Sequence, residues 1–497
     1  MSPAGGQTER MERYARRMLL TLGVAGALAA AVHGALLLWA RHEFTQVESV
    51  VGFHVNNLAE GRGLYYDLNR YPYTISPYTP CFYLAAAALK RMGAPVPHGG
   101  RMLSFLAFLG VVALSWRILQ LETRSRFAVW TGTLLAATTG NLVFWATVGQ
   151  VDFLALLFSL AALYEYLQYR KEPRARRLAA AGALVFLSVF TKQTMVSAGA
   201  TILILLALED RRRAAWFAAL VGGPGVALAL ALNWLTSGAF FENAVFSNLV
   251  PFSWSKLLGH AKYLLAAGGG LLVITSVGLR FRLRPVSPLW VYLGLAMGLL
   301  ALTSPKIGSD LNYQIEPFVL LALCAALSLD RLGFFPACFR GDRGPVTLLQ
   351  IPLFLHLVLN LAISGNLAIN RAINELLWRQ EYAQLEPYLR GEHRVLSVQL
   401  DPLLRRGRQL EVEPLIYTLM VEAGRVDPEP LRRDLAAKRF DLVILYEDLF
   451  GNRGQAPNPE LPRLPAMQLE EIRKNYRLVA HVAGPLLDGD YLYQPVR

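Results

Sequence analysis

"FAVWTGTLLAATTGNLVFWATVGQVDFLALLFSLAALYEYLQYRKEPRARR" occupies Phe127–Arg177. Its first part holds two apolar runs, 127–147 and 150–168. Each is close to the ~20 residues that an α-helix needs to cross a bilayer. The turn between them, Thr147–Asp152, is tight and carries no basic residue. Beyond the second run stand Arg170, Lys171, Arg174, Arg176 and Arg177. The pattern reads as a helical hairpin that crosses a membrane twice, with the basic cluster on the cytoplasmic side.

The same alternation extends in both directions. Further apolar runs lie near 18–40, 102–120, 176–191, 194–208, 214–236, 261–280, 287–303, 312–330 and 346–366, so the sequence predicts about eleven spans. One set of loops holds Arg117, Arg124 and Arg126, then the cluster above, then Arg211, Arg212 and Arg213, then Arg280, Arg282 and Arg284, then Arg331, Arg340 and Arg343. The alternate short loops hold little that is basic beyond Lys192, Lys256 and Lys306. This bias puts the N-terminus in the cytoplasm, and an odd number of spans puts the C-terminus outside. The expected location is the plasma (inner) membrane.

Composition agrees. Apolar residues make up 54% of the chain and charged residues 17%. The net charge of +13 sits in short loops between apolar runs. That placement reads as topology and contact with membrane lipid, and it argues against a nucleic-acid partner. Cys81, Cys324 and Cys338 are scattered and odd in number, with no metal-ligand spacing and no expected structural disulfide. The first run is too long for a signal-peptide core and reads as a retained helix.

The expected layout is a cytoplasmic segment 1–17, an all-α polytopic domain 18–369 with a long first outer loop 41–101, and a small extracytoplasmic α/β domain 370–497. In the outer loop, Ser76–Met92 suits a helix lying along the interface. Past Asn366 charges become frequent. Val395–Val398 and Phe440–Leu445 read as buried strands, and Asp427-Pro428 opens an amphipathic helix.

Candidate chemistry gathers on the expected outer side. Glu48 follows the first span and suits a general base acting on a hydroxyl, or else an interfacial charge facing water. Asp152 lies at the start of a span, where an ionisable group faces a cavity or a partner, or caps a helix dipole. Lys306, in "TSPKIGSDLNYQIEPF", suits an anionic phosphate or a snorkelling contact. Asp310, Asn312, Tyr313 and Glu316 follow it at helical spacing, and Lys192 with Gln193 interrupts an apolar hairpin. His54 and Asp67 lie in the first outer loop with Tyr65, Tyr66, Tyr71, Tyr73, Tyr78 and Tyr83. Those tyrosines fit an interfacial belt as well as a sugar platform. Nothing forms a compact acidic cluster that demands a metal.

With Glu48, "NLAEGRGLYYD" and "YPYTISPYTPCFYL", the first outer loop resembles that of the GT-C integral-membrane glycosyltransferases. The similar branch includes protein mannosyltransferases, lipid A aminoarabinose transferases and RgtA/B/C/D-like enzymes. Gly149–Ala155 resembles the family's "G-x-x-D-x-L-A", and Lys306–Tyr313 its late "K-x-G-S-x-x-N-Y" loop. The resemblance covers roughly the first 370 residues. It implies a GT-C-like fold and the transfer of a sugar from a polyprenyl-phosphate donor to a glycan, lipid or protein acceptor. It places Glu48 and Asp152 as catalytic acids. Substrate contacts would come from His54, Tyr66, Asp67, Tyr73, Tyr78, Lys192, Gln193, Lys306, Asn312, Tyr313 and Glu316. It leaves a divalent metal open, since some relatives use one. Two departures stand out: Thr74-Ile75-Ser76-Pro77 replaces the "F-x-K-P-P" run, and Val47 rather than Asp precedes Glu48. The rival reading is a transporter or flippase. Transporters tend to carry repeated halves with polar residues near the midplane, and this chain has neither signal.

Overall fold

The computed structural model describes residues 3–280, 287–332, 350–391, 394–451, 463–484 and 489–496. Arg282, Arg284, Arg340, Arg343 and Cys338, named above, lie outside them. Among the described residues six helices are long and apolar enough to cross a membrane: Arg17–Leu38, His98–Glu122, Arg211–Leu235, Trp254–Arg280, Leu311–Arg331 and Ile351–Leu389. Ser197–Glu209 and Pro288–Thr303 are shorter apolar helices. The chain is a mostly helical integral membrane protein with a small C-terminal sheet. It divides into two compact units.

The first unit comprises Met1–Leu38, Arg101–Ala227 and Phe252–Ile369. Its centre is the helix Ile315–Arg331, buried on every side from Ile315 to Leu329. A helix apolar all round must be enclosed by other helices. Arg126–Thr138, Trp254–Arg280 and Pro288–Thr303 enclose this one. Small residues let them approach: a Cβ on Gly278 would overlap Ser328, and one on Gly268 would press on Phe318. The hairpin of the opening stretch breaks into Arg126–Thr138, Gly140–Trp145 and Asp152–Lys171. The pair of runs that follows is divided, as Ala175–Val189 and Ser197–Glu209.

The second unit comprises Trp39–Gly100, Leu228–Pro251 and Asn370–Arg497. Its sheet runs β1 (Val395–Ser397), β2 (Leu442–Leu445), β4 (Asp490–Pro495), β3 (Tyr476–Val482). β1 and β2 are parallel, with Val395 opposite Leu442, and the other pairs are antiparallel. Helices between β1 and β2 make the crossover that a parallel pair requires. One of them, Glu429–Ala436, starts where Asp427 accepts from the Glu429 amide at 3.0 Å, the cap read from the sequence.

Two elements differ from expectation. The first outer loop contains a helix at Gln46–Ala59, besides Cys81–Arg91 in the expected interfacial segment. Val50 and Phe53 of that first helix join Leu385, Leu389, Leu442, Ile444 and Leu492 in one core. Its apolar residues are mixed with Glu, His and Asn, and the sheet supplies the burial that composition alone does not foretell. The last apolar run also continues as one helix from Gln350 to Leu385, past the change in composition at Asn366. Leu376, Glu381 and Leu385 are good helix formers, so nothing stops the helix at the edge of its apolar part.

Candidate functional site

In the first unit, Asp152 opens its helix in the position where the dipole favours a carboxylate. The preceding turn is pinned: the Ser104 hydroxyl donates to the Gln150 carbonyl at 2.9 Å. Lys192 stands in the short turn after Val189, its amide bonded to the Ser188 carbonyl. Its Nζ donates to Asp152 Oδ1 at 2.5 Å, and the two side chains are 3% and 2% exposed. Asn312 lies in the one-turn helix Leu311–Gln314, capped by Asp310, whose carboxylate accepts from the Leu311 amide at 2.7 Å. Asp310 therefore closes a turn. Asn312 Nδ2 donates to Asp152 Oδ2 at 3.2 Å and reaches Gln150 Oε1 at 3.4 Å.

Two lysines flank one ring. Lys192 Nζ is 4.6 Å and Lys306 Nζ 5.5 Å from the centre of Tyr313. The loop holding Lys306 is built by a bridge to Phe252 and by the Ser309 hydroxyl donating to the Ser304 carbonyl. Burial first, and the Lys192 charge next, lower the Lys306 ammonium to about 8. Glu316 is buried beside this loop's helix start. It accepts from the Tyr292 hydroxyl at 2.7 Å and the Ser197 hydroxyl at 3.2 Å. The fold thus brings Asp152, Lys192 and Asn312, all buried, together with half-buried Lys306 and Tyr313 in one polar cluster. Gln193 is next in sequence to it. Gln150, Ser197 and Tyr292 were missed, because serine, tyrosine and glutamine inside apolar runs give no periodic signal.

The second unit holds the other candidates. Glu48 lies in the first turn of Gln46–Ala59, is 1% exposed, and accepts from the Phe44 amide at 3.2 Å. The reading of Glu48 as a carboxylate facing water does not match this burial. Two further acids, not read from the sequence, are buried there, Glu43 and Asp401. Asp401 accepts from the Tyr382 hydroxyl at 2.7 Å and from Arg405 Nε at 2.8 Å. Burial, then Asp401, and to a smaller extent Glu48, raise the Glu43 carboxyl well above its ordinary range, against a bond from Ser49 and the Arg405 charge. Asp401 lies some 350 residues along the chain from this helix, so no local pattern could have named it.

His54 is fully buried among the rings of Phe53, Tyr66 and Tyr83, at 5.3, 5.8 and 6.0 Å. Burial, opposed by the Ile75 backbone, lowers it to about 4, so it is a neutral imidazole at pH 7. Tyr73 is buried too, bridged by backbone to Val412 with its ring against Tyr71 and Tyr417. The Tyr78 carbonyl accepts from the Tyr65 hydroxyl at 3.0 Å. Tyr66 and Asp67 line a cleft of about 960 Å³ with Asn69, Arg70, Glu242 and Arg425. Among the described residues no group of three or more His, Cys, Asp or Glu side chains is arranged to hold a metal. Among the described residues Cys81 and Cys324 form no disulfide.

No family model matches the sequence, and no curated protein matches it. Solved structures do. ArnT from Cupriavidus metallidurans in the apo state is 14% identical, over 95% of this chain and 97% of that one, with a TM-score of 0.60. The chain has the GT-C fold. The same enzyme bound to undecaprenyl phosphate superposes with a TM-score of 0.61 at 13% identity, over the same shares of both chains. A second GT-C structure, the apo Archaeoglobus fulgidus oligosaccharyltransferase, is 12% identical over 87% of this chain and 69% of that one, with a TM-score of 0.51. At such identities the likeness is one of GT-C architecture, and it extends through the C-terminal unit as well as the spans.

Proposed function

We propose that the chain is a membrane glycosyltransferase that moves a sugar from a polyprenyl-phosphate donor to a glycan, lipid or protein acceptor on the extracytoplasmic face. The observation that carries this reading is the cluster of buried Asp152, Lys192 and Asn312 with half-buried Tyr313 and Lys306 inside a GT-C fold. Buried charges of this kind mark function when they meet at a helix end. The bound undecaprenyl phosphate in one structural neighbour supports a lipid-linked donor. The arginine-rich loops support a cytoplasmic N-terminus and an outer C-terminus.

In this reading Lys306 and Lys192 meet the phosphate of the donor. Asp152 and Asn312 hold Lys192 in place. The Tyr313 ring is within cation–π reach of both ammonium groups and stabilises both. The resemblance of the first outer loop assigns Glu48 to the proton of the acceptor hydroxyl. The freed oxygen attacks the anomeric carbon opposite the phosphate, inverting it through an oxocarbenium-like state. The phosphate leaves as an anion and needs no acid, so the lysines act by stabilising its growing charge. Tyr66 and Asp67 contribute to acceptor binding through the cleft they line.

The test is transfer of radiolabelled sugar from a polyprenyl-phosphate donor in membranes. Glu48→Gln should lower the rate ~10²–10⁴-fold, the usual worth of a positioned base. Asp152→Asn should lower it as well. Equal transfer by both variants and the wild type removes the assignment, and unchanged transfer without lipid donor removes the donor class.

A further inference from the structure

A hollow of about 460 Å³ in the second unit is lined by Arg41, Arg379, Arg405 and Arg406, with Glu386 as its one acid. The acids behind it are already engaged. Glu375 accepts from His42 at 2.8 Å and from Arg379 Nε at 3.2 Å, Asp401 from Arg405 Nε, and Glu386 from Arg406. Three forks remain open. Among the described residues the Arg41 guanidinium has no partner, and the terminal nitrogens of Arg379 and Arg405 make no hydrogen bond. Tyr382, Leu385 and Pro402 give the hollow an apolar wall, so the positive charge is not diluted by water on every side. Its volume is that of a small-molecule site, typically ~300–1,000 Å³.

Convergent cations repel one another and lose hydration. Planar guanidinium forks with free N–H pairs fit the paired oxygens of a phosphate. We propose that this hollow binds a phosphate oxyanion, carried by an anionic lipid headgroup or free in solution. It uses none of the residues assigned to sugar transfer. A headgroup has access by position: Arg41 follows the apolar run Arg17–Leu38 by three residues. Phe44, three residues after Arg41, has Arg371 4.1 Å over its ring.

The test uses the purified full-length chain in neutral detergent. Phosphatidylglycerol or phosphatidylcholine is added, and retained lipid is counted by native mass spectrometry. In a second arm, inorganic phosphate is added at constant ionic strength and the thermal shift is read. Wild type should retain phosphatidylglycerol over phosphatidylcholine, and Arg41→Gln should lower that preference roughly fivefold, the equivalent of ~1 kcal/mol per basic residue at an anionic surface. Adding Arg379→Gln should lower it further, and Arg41→Lys should restore part of it. Both variants lie on exposed side chains, so folding is kept and confirmed by the melting midpoint. A response to lipid alone supports the site with a headgroup as its source, and a response to phosphate alone supports it with a soluble source. If wild type and the double variant respond alike to both probes, the proposal is overturned.

Discussion

Two buried charge clusters sit in this protein, and they are solved in opposite ways. In the first unit Asp152 meets Lys192 at 2.5 Å and Asn312 fills a remaining lone pair, so acid and base cancel. In the second, Glu43 and Asp401 lie near Arg405 with Glu48 close to Glu43, and acids outnumber the base. Burial and the neighbouring acids raise the Glu43 carboxyl well above the usual carboxylate range. A closed pair is intolerant of losing one partner, whereas an over-acidic group is relieved when one of its acids is replaced by a neutral side chain.

The sharpest way to break this contrast is Lys192→Met. It leaves the Asp152 carboxylate buried without its cation, and the expected loss is ~3–5 kcal/mol, seen as a lower unfolding midpoint in detergent. Adding Asp152→Asn should recover most of it, and a double variant as unstable as the single one would show that the two do not act as a pair. Tyr292→Phe removes a donor from buried Glu316, and ~1–3 kcal/mol should be lost in the same measurement.

A third variable is pH. The Lys306 ammonium is lowered to about 8 from an ordinary 10.5. The folded chain therefore sheds this proton before the unfolded chain does. The cost of burying the charge is complete below 8 and disappears as pH climbs toward the unfolded value. Catalysis should move the other way: transfer falls above pH 8, by about tenfold per unit if the charge is essential. Lys306→Arg should keep the rate level through that range, and an unchanged fall in this variant would assign the profile to another group. The smallest effect is expected at Glu43→Gln. A raised carboxyl binds its proton more tightly when folded, so wild-type stability declines as pH rises out of the ordinary carboxylate range. Gln mimics the protonated form, so the variant should lie within about 0.5 kcal/mol of wild type at low pH and lose that decline.

The spans were legible because each depends on its own residues: an apolar run between arginine loops is helical and membrane-bound whatever surrounds it. The same is true of the Asp427-Pro428 helix start and of the two parallel strands, Val395–Ser397 and Leu442–Leu445. Asp152, Lys192, Asn312 and Glu316 were found as costly polar residues in or beside apolar runs. What could not be read was who meets whom. Asp152 and Asn312 are 160 positions apart, and helix packing alone brings the amide to the acid.

Sequence by itself therefore determined the class of the protein, most of its apolar helices, two strands of the small C-terminal sheet and most residues of the first cluster. Those follow from local free energies of transfer and from backbone preferences. Tertiary structure alone decided that residues 39–100 pack with 370–497, that Glu48 is buried beside Glu43 and Asp401, and that three arginine forks open on one hollow. Burial and charge pairing are properties of neighbours in space, and the chain order carries no record of them until it folds.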